Sequence, residues 1–149
     1  MIVLYLRPGS WSLPLYLHVL GATILFGGTL ALTVLAVAAW RGRGNAAMLA
    51  RLAFWTLVVV VLPAWILMRA GAQWIVGKEF PKNTPGWVNV GFIVSEPGLV
   101  LILALGVVAW FSARRGGTGR LAAALAVLAP VYLAALAVAW FAMSAKPGA

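Results

Sequence analysis

Three ionisable residues fall inside otherwise apolar stretches of this 149-residue chain: His18, Arg69 and Glu96. Within hydrocarbon such a side chain costs roughly 2.5 to 3.5 kcal/mol on insertion scales, so each needs a partner, a wet cavity or a nearby boundary. A guanidinium and a carboxylate make an ion pair, whereas an imidazole exchanges protons or offers a nitrogen to a metal or haem iron. Spacing brings the three to one level. Arg69 lies 18 positions beyond Arg51 and Glu96 lies 18 before Arg114, which puts each about 27 Å from those arginines along a helix. His18 precedes Arg41 by 23 residues, about 34 Å along a straight helix and less in depth if the helix tilts. The three are expected to converge at the helix ends away from the arginines, with Arg69 paired to Glu96. Gln73, Ser95 and Tyr16 are expected close enough to join them.

Two readings fit such a cluster. It is either a clasp that satisfies charges between helices, which is the leading reading, or a small pocket in which His18 titrates or ligates. On a helix His18 shares a face with Gly21, Ala22, Leu25, Gly28 and Thr29. That face is small, and it either admits a neighbouring helix closely or leaves room for a flat ligand. The chain has one histidine, so two imidazoles cannot come from one subunit to a haem; His18 with Met68 is the alternative pair. Paired-carboxylate sites, HExxH, a nucleophile elbow and a glycine-rich phosphate loop are all missing. No catalytic residue is assigned.

The elements that must carry these residues follow from composition. Apolar residues make up 64% of the chain and charged residues 9%, with mean hydropathy +1.05, against about a quarter charged in soluble domains. The expected fold is all-α: a polytopic four-transmembrane-helix bundle forming a single membrane domain over residues 1–149, with spans at about 13–40, 52–71, 88–112 and 121–143. The segment 72–87, within GAQWIVGKEFPKNTPGW from Gly71, is the longest polar connection and is expected along the outer interface as a short helix anchored by Trp74, Ile75, Val76 and Phe80, with a lid or a docking surface for a partner as the alternative. Ala36 to Ala39 look like a cleavage region. The first apolar stretch is nevertheless too long for a signal peptide core and is read as a permanent span.

Charge sets the orientation. Eleven Lys and Arg face two acids, Glu79 and Glu96, for a formal +9. Arg41, Arg43 and Arg51 occupy the first connection and Arg114, Arg115 and Arg120 the third, with no acid among them. The positive-inside rule makes these two loops cytoplasmic and places both termini outside. Trp40 and Trp110 lie beside the arginine loops, and Trp11, Trp74, Trp87 and Trp140 toward the other interface, as aromatic belts require. No basic run is interleaved with aromatics, so nucleic acid is not expected as a partner. The bilayer is, and a homo-oligomer or larger membrane complex is compatible. The cysteine count is zero, which excludes disulfides, cysteine zinc sites and iron–sulfur clusters.

Pro63, Pro97 and Pro130 fall inside spans and free the carbonyls of Val59, Ile93 and Ala126, so kinks are expected there. Gly21, Gly28, Ala122, Ala126 and Ala129 should mark close-packed faces.

The stretch LHVLGATILFGGTL, Leu17 to Leu30, resembles the first helix of several small bacterial membrane families that carry Leu-His-x-Leu-Gly and a later Gly-Gly pair. These include copper-resistance protein D-like domains, HemJ-type protoporphyrinogen oxidases, and a four-helix family of high-GC, actinobacterial-type bacteria with no assigned activity. GAQWIVGK and GFIVSEPG, from Gly71 and Gly91, are similar to the last group. The first two resemblances imply a haem or metal role for the first-helix histidine, which only His18 can take. The further histidines and basic residues of those families are missing here.

The leading expectation is a small protein of the bacterial cytoplasmic (inner) membrane, structural or accessory and more a packing component than an enzyme. One alternative is a redox or transport protein that binds haem b or copper through His18. The other is a small-molecule carrier, which requires a cavity between the spans.

Overall fold

The computed structural model describes residues 12–79 and 86–145. Helix α1 covers Ser12–Trp40 and α2 covers Ala46–Thr56. A five-residue π turn, Leu57–Val61, joins α2 to α3 at Leu62–Glu79, so the second rod is continuous. Helices α4 and α5 cover Gly86–Arg114 and Gly119–Ala145. The described residues are all-α, and four rods are long and apolar enough to cross a membrane: Leu13–Trp40, Ala46–Lys78, Gly86–Arg114 and Gly119–Ala145.

The second rod is longer than hydropathy implies at both ends. It opens at Ala46 because Asn45 caps it, its side chain accepting from the Met48 amide at 3.0 Å. It runs on to Glu79 because Ala72, Gln73, Trp74 and Ile75 contain no helix breaker. The expected connection 72–87 is therefore helical over its first eight residues and again from Gly86; residues 80–85, with Phe80, lie outside the described residues.

Both arginine loops begin with the same stop. Arg43 N–H donates to the Ala38 carbonyl and Gly42 N–H to that of Ala39, with Gly42 at φ 65°. Gly117 N–H likewise returns to Ser112 across Gly116 at φ 84°. The first set is the bond pair of a Schellman motif and the second its longer bond, and both need a residue that tolerates the left-handed region. The two loops also touch: a methyl on Gly117 would overlap the Ala46 carbonyl, so both arginine clusters share one end of the bundle.

The rods pack as a ring. α1 lies against α2 and α3 on one side and α5 on the other, and α4 lies against α5 and α2. Leu25 and Leu32 of α1, Leu57 and Val61 of the π turn, Ile102 and Leu105 of α4, and Leu125 and Tyr132 of α5 form the buried core. Their opposite faces are apolar too, as at Ile93 and Phe141, 70% and 69% exposed. A rod that is apolar all round is suited to lipid rather than water.

Pro63 explains how the ring opens at one end. A proline ring collides with the carbonyl four residues back, here Val59, and the helix answers by widening, with Leu62 N–H bonded to the Leu57 carbonyl. The rod bends away from α4 after this turn: α2 packs on α4, but α3 meets it at only a few points. α3 instead presses on α1. A methyl on Gly21 would overlap the Met68 backbone, and one on Gly71 would lie 2.5 Å from His18 N and 2.8 Å from the Pro14 carbonyl. Pro97 and Pro130 are carried inside α4 and α5, which continue through them.

Candidate ligand cavity

The separation of α3 from α4 leaves a cavity of about 440 Å³ at the end of the bundle away from the arginine loops. All four rods contribute: His18, Ala22 and Phe26 from α1, Met68, Arg69 and Ala72 from α3, Phe92 and Ser95 from α4, and Ala139, Trp140 and Met143 from α5. The walls are mostly apolar and aromatic. Phe26 and Trp140 meet edge to face with centroids 5.1 Å apart, the arrangement that aromatic quadrupoles favour.

The polar groups gather on the α3 side. Arg69 Nη2 donates to Glu96 Oε1 at 2.7 Å and Nη1 to Gln73 Oε1 at 2.6 Å. The guanidinium also lies over the Phe92 ring, 4.7 Å from its centroid. Arg69 is thus held by one partner on its own helix, at i+4, and by two on α4. Its side chain is 22% exposed and that of Glu96 62%, so the pair bridges the α3/α4 gap from its outer side. One turn earlier, the Trp65 indole donates to the Ser95 carbonyl at 3.0 Å. α3 and α4 approach each other at only a few points, and these two polar contacts are among those that link them.

His18 is turned differently. Its Nδ1 lies 3.0 Å from the Met68 carbonyl on α3, and it makes no bond to the Arg69–Glu96 pair. A carbonyl oxygen only accepts, so Nδ1 must carry the hydrogen. In a neutral ring Nε2 is then a bare acceptor, and it has no partner among the described residues. The glycines make this bond possible: Gly21 and Gly71 bring the α1 and α3 backbones close enough for the imidazole to reach a main-chain oxygen.

Of the residues expected to cluster, Arg69, Glu96 and Gln73 form one connected group, and His18 and Ser95 line the same cavity as Arg69. Tyr16 does not join them. It is 60% exposed, because two residues before His18 is about 200° round the helix. Trp65, bonded to a residue of the cavity wall, and Phe92 and Met143 on the wall itself carry no signal in sequence. The first bonds to a backbone carbonyl, and the others are apolar residues in apolar helices.

Among the described residues no three His, Cys, Asp or Glu side chains come together as a metal site. His18 offers a haem one axial nitrogen. The sequence matches no protein-family model, and neither a curated protein nor a solved structure is similar to it. The functional reading therefore stands on the geometry of the cavity.

Proposed function

We propose that this chain is a multi-pass protein of the bacterial cytoplasmic membrane that holds a largely apolar small molecule between its spans, with both termini and the cavity toward the outer face. The observation that carries the reading is the cavity of about 440 Å³, within the roughly 300–1,000 Å³ typical of ligand sites. A structural clasp needs no such space. Mostly apolar walls with a few polar groups are the usual make-up of a small-molecule site. Access is from the bilayer between α3 and α4, which meet at few points and are linked by the Arg69–Glu96 and Trp65–Ser95 bonds.

The arginine loops support the orientation, since six guanidinium-bearing residues without an acid share one end. The experiment is native mass spectrometry of protein purified from its own membranes. The wild type should carry a small-molecule adduct, and Ala22→Trp, which puts an indole into the space, should lose it while keeping its helical circular dichroism. A wild-type protein without adduct, in every mild detergent tried, contradicts the reading.

A haem held through His18 is the second reading. It is favoured by the Nδ1 bond to the Met68 carbonyl, since an iron-bound imidazole commonly donates its other nitrogen to a carbonyl or carboxylate. A Soret band in the purified protein, absent in His18→Ala, is its test.

A further inference from the structure

Building on the cavity as a binding site, we propose that its ligand is a neutral, ring-bearing amphiphile whose hydroxyl donates a hydrogen bond to His18 Nε2. Three features of the walls point to this class. The first is the direction of the imidazole. With Nδ1 donated to the Met68 carbonyl, the neutral ring offers the cavity an acceptor and no donor. A hydroxyl satisfies it; an ether or a ketone does not.

The second is charge. Arg69 is the cation on the wall, and it is engaged by Glu96 at 2.7 Å and Gln73 at 2.6 Å. Glu96 already balances the guanidinium, so an acidic ligand would bring an uncompensated charge into a mostly apolar space, and a basic one would meet the cation. A neutral molecule keeps both bonds intact. The third is shape and surface. Phe26, Phe92 and Trp140 give the space ring faces and edges, which favour a flat unsaturated ring over a branched chain. Ser95 Oγ is buried beside it without a partner among the described residues.

The test compares 2-naphthol with 2-methoxynaphthalene, in which a methyl replaces the hydroxyl hydrogen, each titrated into the full chain in nanodiscs with empty nanodiscs as blank. The hydroxyl compound should bind about tenfold more tightly, the worth of one hydrogen bond in a dry site. In His18→Phe the preference for 2-naphthol should vanish. His18 is the chain's one histidine, so imidazole ¹⁵N labelling of the wild type gives the same answer without a variant. The Nε2 resonance should move with 2-naphthol and stay with the ether. Equal binding of the two probes, or a preference that survives His18→Phe, overturns the hydroxyl donor and leaves the cavity reading standing. Failure of both probes to bind saturably overturns the cavity reading and the inference with it.

Discussion

His18 of α1 donates through Nδ1 to the Met68 carbonyl of α3 at 3.0 Å, across the same seam in which Gly21 packs against the Met68 backbone. One contact thus fixes two things. It holds the rings of α1 at a set height on α3, and it leaves the imidazole with an acceptor at the cavity wall. Anything that pushes the two backbones apart should loosen both.

A glycine pair on α1 tests the seam. A methyl at Gly21 would overlap backbone atoms of Met68 and Ala64, which cannot step aside as a side chain can, whereas a methyl at Gly27 meets nothing within 4 Å. Gly21→Ala should therefore lower thermal stability in detergent by about 1 to 3 kcal/mol, the usual cost of overpacking. Gly27→Ala should be neutral or raise it by up to about 1 kcal/mol, because alanine is the better helix former. Equal melting temperatures would refute the close approach.

The ion pair gives a second comparison. Glu96→Ala removes the charged partner of Arg69, and loss of so exposed a pair should cost up to about 1 kcal/mol in detergent melts. Gln73→Ala removes a neutral acceptor that shares Arg69's own helix, so it should cost less than half as much. Combining Glu96→Ala with Trp65→Phe cuts both α3/α4 tethers. Spin labels at Ile66 and Ile93 should then report a longer and broader distance distribution; an unchanged distribution would show that packing, not these bonds, sets the gap.

Much of the scaffold was legible in the residues. Four apolar runs gave four rods, Arg-Gly pairs gave the stops after Trp40 and Arg114, and the 18-residue offsets gave the meeting of Arg69 with Glu96. Other features were not. Arg51 made Ala46 to Arg51 look like loop, although Asn45 caps a helix there. The π turn is a backbone response to Pro63 that hydropathy does not encode. His18 and Trp65 both bond to main-chain carbonyls, and every residue has one, so no side-chain pattern could announce them. The cavity is a shortfall of packing and shows only when all four rods are in place.

Topology is open to direct labelling because the native chain has no cysteine. In intact cells a membrane-impermeant maleimide should modify Ser144→Cys at once and Ala47→Cys only after permeabilisation. The reverse pattern would put the arginine loops outside and turn the cavity toward the cytoplasm.

The cavity itself can be read through the methionines, of which the chain has four. Met68 and Met143 line the space, while Met48 is 59% exposed at the arginine-loop end. With ¹³C-methyl methionine in nanodiscs, titrating 2-naphthol should shift the Met68 and Met143 methyl resonances together and saturably, with Met48 unmoved. If Met48 shifts in step with them and without saturation, the probe is only partitioning into lipid and the binding cavity between the four rods is contradicted.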